Sequence, residues 1–579
     1  MSRTWYGSQA DSEACNFGAL AIISPLLERM NVAQIINQHV PADTRAEFSH
    51  GEILSLLIAA RLHRPTALMN VGQWAAESGA DVLWGIPVEK INDDRLGRSL
   101  DAFFTQRHSI LAHLALHVSR EFGVPLSELH YDPTHILFEG AYEQAEPREG
   151  VVGEAAVRSD DGLKPAHITK GRGTDDAPDG ALMVHAGLCT YVDEFGPLPL
   201  FGHTVDGNQN GHTAVAEQFA LIDKHLQLTE LTMISDRGTF SAGHLARLIR
   251  ENFYALCSAP WGEFRPLFNR QRATLNWETA SFLSIEQHRR REAQSGLPRE
   301  HYQLAVQPHT LVDEESKQEI SCRVIFVFST ADQKVVRKQR QKQIDKLRAG
   351  LEQLQRSVAA GRRSTAPHAV TRRVQKLFGV KQAARYFTWE MTPLSEQEQA
   401  ALPKPQRGCK PATHRFTFSF DQAALEADEA EDGYSALVTT VPESRAGADV
   451  LFTKFKQQNY SEHVNAQFKG PLAVRPVFLH SPRRVEALVF LLMMALTTYF
   501  LLQRMYRQSI PAGAPKKERQ TTTETILRAF ASYALLIHRT RLGREVQPTR
   551  LTTRQRELLQ RLGFPTPAKI LRQRLPRAP

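Results

Sequence analysis

Few features of the sequence indicate an exported, disulfide-linked or nucleotide-driven protein. Its 579 residues include five cysteines, and no two of them form a C-x-x-C pair, which argues against a zinc ribbon or a disulfide framework. The first fifteen residues lack a basic segment followed by an apolar one, so no signal peptide is predicted. A phosphate-binding loop of the form G-x-x-x-x-G-K-[ST] is absent, and no nucleotide cofactor is expected. These absences favour a reducing, cytoplasmic compartment.

One apolar run could indicate a membrane segment. Residues 487–502 read ALVFLLMMALTTYFLL, sixteen residues without a charge, and are flanked by Glu486 and Arg504. A helix that spans a membrane needs about 20 apolar residues. We therefore expect a helix buried in a large core and no membrane partner, with a membrane protein as the alternative that this run leaves open.

Charge of one sign is concentrated in two blocks. The formal net charge is +9. Residues 539–579 hold eleven Lys and Arg against two Glu, and residues 334–385 hold fifteen against one Asp and one Glu. Two separated basic blocks suit an extended polyanion, with nucleic acid as the first candidate and an anionic membrane as the second. Solvated helix faces are the alternative explanation for either block.

The order of periodic segments predicts an α/β protein of three to four domains. Residues 19–30, 50–62 and 92–104 have a helical apolar period, so residues 1–125 are expected to form an all-helical N-terminal domain. Between 126 and 260 the patterns run strand, strand, strand, helix, strand, helix, strand, which describes a mixed sheet with helices packed on it.

The rest of the chain is expected to interrupt and then complete this sheet. Residues 261–440 are predicted to be an inserted domain, with a strand near 322–330 and a long basic helix. The segments TFSFDQAAL and YSALVTTV are expected to return as strands to the sheet. Residues 441–538 would form the second part of the core, and 539–579 a basic tail with a mobile end. Five apolar residues of the long helix fall at heptad positions and predict a helical hairpin or short coiled coil: Ile344, Leu347, Leu351, Leu354 and Val358.

Two aspartates stand at positions typical of a ligand site in a sheet. Asp132 lies in a β-rich run, and Asp236 lies where the strand ELTMIS opens into Arg237 and Gly238. Ligands usually bind at strand ends in open α/β sheets. Turn formation is the alternative role for a single aspartate at such a place.

A third acid shares a helical pattern with a cation. At about 100° per residue, Phe455, Gln458, Glu462 and Lys469 project within a sector of about 60° if they lie on one helix. A carboxylate would then stand beside a cation and an amide donor. An ordinary partly exposed helix face is the alternative.

These residues resemble a known family. The pattern F-x2-Q-x3-E-x6-K is similar to the Y-x2-R-x3-E-x6-K signature of bacterial insertion-sequence transposases of the DDE type. YDPTHILFEG, ISDRGTFS and EDGYSALVTT, which surround or precede the acids, resemble the same family, closest to its large members with a helical N-terminal domain and an insertion before the third acid. Phe455 and Gln458 depart from it by replacing the Tyr and the Arg.

The resemblance implies a ribonuclease H-like core and a metal-dependent reaction on DNA. Asp132, Asp236 and Glu462 would hold two Mg²⁺, with Mn²⁺ as an expected substitute, and Asp132 would bridge them. The protein would cleave DNA at terminal inverted repeats and join the ends to target DNA. A homodimer on DNA is expected, with 344–358 as one candidate interface, and a bacterial cytoplasmic, nucleoid-associated location.

Five further residues are implied as DNA contacts. Lys469, supported by Gln458 and Phe455, would bind a phosphate near the cleaved end, and Arg237 could do the same. Tyr434 would stack on a flipped base or else be an aromatic of the strand core. Two other functions stay open, a ribonuclease H-like nuclease without strand transfer and an inactive DNA-binding protein derived from a transposase.

Overall fold

The structure, a computed structural model, describes residues 12–138, 164–171, 181–209, 211–283, 301–360, 366–401, 411–470, 479, 481–540 and 543–574. The α-helices within them are α1 (Leu20–Arg29), α2 (Val32–His39), α3 (His50–His63), α4 (Val71–Ser78), α5 (Ala80–Trp84), α6 (Asp93–Phe104), α7 (Arg107–Phe122), α8 (Gly211–Leu226), α9 (Ala242–Arg250), α10 (Trp261–Gln271), α11 (Thr330–Ala359), α12 (Pro367–Phe378), α13 (Glu396–Ala401), α14 (Gln422–Glu429), α15 (Ala448–Lys456), α16 (Asn459–Lys469), α17 (Pro482–Gln508), α18 (Lys516–Arg519), α19 (Thr523–Arg528), α20 (Thr553–Leu562) and α21 (Pro567–Arg574).

The strands, again within the described residues, are β1 (Ser12–Cys15), β2 (Glu128–Phe138), β3 (Thr169–Lys170), β4 (Leu182–Asp193), β5 (Gly196–Asp206), β6 (Thr232–Ser235), β7 (Tyr254–Ala259), β8 (Glu278–Thr279), β9 (Tyr302–Val312), β10 (Glu319–Ser329), β11 (Phe387–Pro393), β12 (His414–Phe420), β13 (Tyr434–Thr439), β14 (Leu535–Thr540) and β15 (Gly543–Pro548).

The block that follows β1 is helical, as the apolar periodicity predicts, but β1 itself, which pairs with β14, departs from the all-helical domain expected for residues 1–125. The segments 19–30, 50–62 and 92–104 form α1, α3 and α6. A capping box at Ser49 begins α3, and the Asn92 side chain caps the start of α6. These side chains satisfy N–H groups that have no partner inside the helix, so they fix where each helix begins.

A large mixed sheet forms the second block. Its strand order is β3, β4, β2, β6, β7, β13, β10, β9, β8, and β5 also pairs with β4. β2, β6 and β7 are mutually parallel, whereas the other pairs are antiparallel. The predicted alternation of strands and helices over 126–260 is confirmed, and so is the coarse fold class, α/β with a mixed sheet.

Helix α17 connects the helical block to the sheet. It contains the apolar run 487–502, which is buried throughout. Glu486 pairs with Arg107 of α7 at 2.7 Å, and Arg504 pairs with Asp193 at the end of β4 at 2.5 Å. Both charges that flank the run are thus neutralised inside the protein. Among the described helices this one alone could cross a membrane by length and composition, and its apolar window is entirely buried.

A small domain is inserted between β10 and β13. Its core is separate from that of the sheet and includes the predicted apolar stripe of α11: Ile344, Leu347, Leu351, Leu354 and Val358. The stripe packs with α12 and the β11–β12 hairpin. The apolar residues at 344–358, predicted as one candidate dimer interface, are therefore buried inside this chain. The chain enters and leaves this domain at neighbouring points, because the Ser329 N–H donates to the Gly433 carbonyl at 2.8 Å.

The insertion is narrower than the sequence predicts. The predicted range 261–440 contains β8, β9, β10 and β13, which belong to the main sheet, so the separate domain covers residues 330–432. TFSFDQAAL was expected to return to the sheet, but among the described strands β12 pairs with β11 alone. Side-chain alternation shows that a segment is a strand and carries no information on which strand pairs with it.

The basic C-terminal block is folded, which corrects the expectation of a tail. β14 pairs with β1 and with β15, so the predicted boundary at 539 falls inside β14. Leu558, Leu559 and Leu571 of α20 and α21 are buried in the main core. Of the end that was expected to be mobile, residues 572–574 belong to α21 and 575–579 lie outside the described residues.

Candidate active site

The first two acids lie side by side on adjacent parallel strands. The register of β2 against β6 ends at Tyr131 opposite Ser235, so Asp132 is the next residue of β2 and Asp236 directly follows β6. Adjacent strands are about 4.8 Å apart. Pro133, which has no N–H to donate, is the second residue after the end of this parallel pairing. The sheet thus brings together two acids that are about a hundred residues apart in sequence.

Asp236 is held by the turn that follows β6. Its carboxylate accepts the Gly238 N–H at 2.9 Å, and its carbonyl accepts the Thr239 hydroxyl at 2.9 Å. Asp236 and Arg237 are both exposed. The turn chemistry proposed as the alternative role for this aspartate is therefore present, and it fixes the carboxylate at the end of the strand without burying it.

The segment with the third acid consists of two helices, so the expectation of one helix was wrong. α15 ends at Lys456, and α16 begins at Asn459. Glu462 and Lys469 share α16, as predicted, whereas Phe455 belongs to α15. The first of these helices packs near the start of β2, because Lys454 of α15 forms an ion pair with Glu128.

Gln458, between the two helices, binds β2 through both atoms of its amide. Its Nε2 donates to the Tyr131 carbonyl at 3.1 Å, and its Oε1 lies 2.9 Å from Nδ1 of His130. Burial lowers the pKa of His130 to about 4, so its ring is neutral and Nδ1–H is the donor to Oε1. The structure thus gives Gln458 a positioning contact beside Asp132, and sequence spacing gave no role to His130.

Asn465 joins α16 to the first acid. Its Nδ2 donates to Oδ2 of Asp132 at 2.8 Å, and Asn465 is buried, with 9% exposure. Sequence reasoning missed this residue. The signal was its position three residues after Glu462 and four before Lys469, which places it on the same helix face.

The three carboxylates interact electrostatically. The pKa of Asp132 is raised to about 7, chiefly by burial and then by repulsion from Asp236 and Glu462, while Lys469 opposes the shift. Asp132 is half-buried, whereas Glu462 is exposed. Acids from positions 132, 236 and 462 are therefore near enough to affect one another, with a half-buried cation beside them.

This donor set fits hard divalent cations, which prefer carboxylate oxygens. A bound cation would relieve the repulsion that favours a proton on Asp132. Within the described part of the chain, no three acidic, histidine or cysteine side chains are close enough to count as a ready ligand cluster. The carboxylates are thus near enough to repel one another but are not drawn together around a common point.

Two other predicted site residues pack in the interior. Phe455 is half-buried against the core cluster that includes Phe452. Tyr434 is half-buried at the start of β13, with its ring centroid 4.8 Å from that of Phe268 and 4.9 Å from that of Phe328. The structure places Tyr434 as the strand-core alternative describes.

Comparison with known proteins adds one match. A family model described as a domain of unknown function, DUF4277, matches residues 13–116. This range covers most of β1 and α1 to α6 and the greater part of α7. No curated protein matches the sequence.

Proposed function

We propose that this protein is a DNA transposase of the DDE type, which cleaves DNA at the ends of a mobile element and joins those ends to target DNA. The observation that carries the proposal is the place of Asp132, which lies beside the end of β6 and is hydrogen-bonded to α16, and whose pKa is raised first by burial and then by Asp236 and Glu462. Acids spread over more than 300 residues of sequence interact at one edge of a mixed sheet. The resemblance to insertion-sequence transposases assigns the triad to the same three positions.

The arrangement also supports a ribonuclease H-like core. The first acid lies on a central strand with an antiparallel neighbour, β4, and a parallel neighbour, β6, which ends at the second acid. The third acid comes from a helix that contacts β2 through the bond between Asn465 and Asp132. The long gap between the second and third acids contains the small inserted domain, as the resemblance implies.

Asp132, Asp236 and Glu462 would hold two Mg²⁺ ions, which when bound activate the attacking oxygen and offset charge on the phosphoryl group. In the first reaction a water oxygen attacks phosphorus and the 3′ P–O bond breaks, which leaves a 3′-OH at the element's end. In the second, that 3′-OH attacks a target phosphodiester, so its oxygen bonds to phosphorus while the target's own 3′ P–O bond breaks and leaves a 3′-OH on the target strand. Lys469 and Arg237 are the cations placed to bind DNA phosphates beside the acids.

The test is single replacement of the acids. Asp132→Asn, Asp236→Asn and Glu462→Gln should each keep binding to DNA that carries the terminal repeats beside the gene and lose Mg²⁺-dependent cleavage by at least about a hundredfold. Asp223→Asn is the matched control, because Asp223 is exposed near the end of α8, and it should cleave normally.

A pre-cut end separates the transposase from a simple nuclease. With such DNA the wild-type protein should join the 3′-OH to a target duplex, whereas a nuclease only hydrolyses. Cleavage that survives in all three acid variants would overturn the triad, and cleavage without joining would support the nuclease alternative.

A further inference from the structure

The long helix α11 begins at the same edge of the sheet as the acids. β10 is antiparallel to β13, β13 is antiparallel to β7, and β7 is parallel to β6, so β10 and β6 run in the same direction. β6 ends next to Asp236, and β10 ends at Ser329, where α11 starts. Three strand spacings, about 14 Å in total, separate β6 from β10.

A ladder of lysines lies along one face of this helix. Lys338, Lys342 and Lys346 recur every four residues and are all exposed. Each step rotates about 40° and rises about 6 Å, so the three cations share a sector of about 80° over about 12 Å. The buried apolar stripe that includes Leu347 and Leu351 lies on the opposite side of the helix. The small domain thus holds the lysine face towards solvent.

The lysine ladder forms no ion pair among the described residues, unlike its basic neighbours Arg337 and Arg340. α11 contains eight Lys and Arg but three Asp and Glu. Arg337 and Arg340 pair with Asp432, whereas the three ladder lysines form no ion pair within the described chain. Like charges four residues apart destabilise a helix by a few tenths of a kcal/mol per pair. A polyanion that binds this face would remove that repulsion.

We propose that Lys338, Lys342 and Lys346 form a track for the phosphate backbone of duplex DNA that flanks the cleavage point. The choice of DNA as the polyanion rests on the proposed function. Lysine is a compact charge on a flexible stem, which suits phosphate contacts that do not read the base sequence. The track therefore positions the flanking duplex while the acids at the same edge of the sheet act on the end.

The experiment compares two triple variants of the full chain. The test variant replaces Lys338, Lys342 and Lys346 with Gln, which preserves helix propensity. The control variant makes the same charge change at three exposed residues at the ends of α7, α8 and α9: Arg120, Lys224 and Arg250. Those helices lead into the starts of β2, β6 and β7, so the control residues lie at the opposite edge of the sheet.

Binding is measured with terminal-repeat duplex in EDTA at several KCl concentrations, so that cleavage plays no part. The test variant should lower the magnitude of the salt slope by about two to three and weaken binding by about tenfold or more at 0.1 M salt. The control should match the wild-type slope. Thermal unfolding of both variants checks that they are folded, and removal of like charges should leave the test variant at least as stable as wild type.

Three results would overturn the proposal. They are a wild-type salt slope in the test variant, an equal loss in the control variant, or no DNA binding by the wild-type protein. The first two leave the triad untouched, since its test is cleavage in Mg²⁺. Conversely, if the protein binds DNA through the three lysines but never cleaves it, the proposed function is refuted and the proposed phosphate contacts stand.

Discussion

At the scale of single residues, Asp132 has the most constrained environment of the three acids. It is half-buried, it accepts a hydrogen bond from Asn465, and two other acids repel its charge. Its pKa of about 7 lies above the ordinary value near 4, so the folded protein binds a proton that the unfolded chain releases between those pH values. Stability of the metal-free protein therefore falls as the pH rises from 4 through 7.

We expect Asp132→Asn to stabilise the metal-free protein at pH 8. The amide removes the buried charge and keeps an oxygen for Asn465, so the gain should be about 1–3 kcal/mol, seen as a rise of a few degrees in the thermal midpoint in EDTA. The gain should shrink at pH 5.5, because wild-type Asp132 is then largely protonated. Equal midpoints at pH 8 would show that the neighbouring acids do not repel Asp132.

Gln458 provides a second test at this scale, because the transposase signature that this segment resembles has Arg at that position. Arg has no acceptor for the Nδ1–H of His130, and it would place a cation beside a buried neutral ring. Gln458→Arg should therefore lower the free energy of unfolding by about 1–3 kcal/mol, seen as a lower thermal midpoint, and give no gain in DNA affinity. Phe455→Tyr, which introduces the other residue of that signature at a half-buried position, is the control and should change little. Tighter DNA binding by Gln458→Arg without loss of stability would assign Gln458 to the DNA surface instead.

The candidate residues could be named from the sequence, but their bonds could not. Asp132, Asp236 and Glu462 stand out through spacing and resemblance. The bonds from Gln458 to β2 and from Asn465 to Asp132 join residues more than 320 positions apart. Such contacts depend on how a helix docks on a strand, and neither helical periodicity nor spacing contains that information.

At the scale of elements, periodicity succeeded where a segment is amphipathic or capped and failed where tertiary contacts decide. α1, α3 and α6, the strands β4 to β7 and the apolar stripe of α11 follow the predicted patterns. The single helix predicted from Phe455 to Lys469 is instead two helices, and Gln458 binds β2 at the junction between them. β12 has the strand pattern that was predicted, but its partner is β11.

The insertion between β10 and β13 should be removable. These strands are antiparallel neighbours, with Phe328 opposite Tyr434, so a two-residue Asn-Gly turn in place of residues 330–432 would complete a hairpin. We expect the shortened protein to fold with the sheet intact, as measured by circular dichroism and a cooperative thermal transition. An Ala-Ala turn is the matched control and should be less stable by about 1 kcal/mol, since alanine resists the positive φ that this turn requires.

Failure of the Asn-Gly variant to fold would show that the small core of α11, α12 and the β11–β12 hairpin also supports the main sheet. Successful folding would confirm 330–432 as the limits of the domain, in place of the predicted 261–440. The shortened protein would also lack the lysine ladder.

At the scale of the whole molecule, the sequence predicted successive domains, whereas the structure has one hydrophobic core shared by most of them. Residues from α1 to α7, from the sheet, from α17 and from α20 and α21 belong to one hydrophobic cluster. Composition predicted the basic character of residues 539–579 but not their place, because charge on the outer face of a helix does not reveal that Leu558 and Leu571 pack on the inner one. The uncharged run 487–502 was predicted correctly as a core helix, and the paired charges at its ends explain how so apolar a helix is accommodated.

The pairing of β1 with β14 also determines how late in translation the N-terminal strand can find its partner. Ser12 emerges early, and its partner His538 follows more than 500 residues later, which at 5–20 residues per second is about half a minute or more. Throughout that interval the edge of β1 has no strand to pair with, and for most of it Glu462 does not yet exist. A translation product that stops before residue 462 therefore has neither the strand that pairs with β1 nor the third acid.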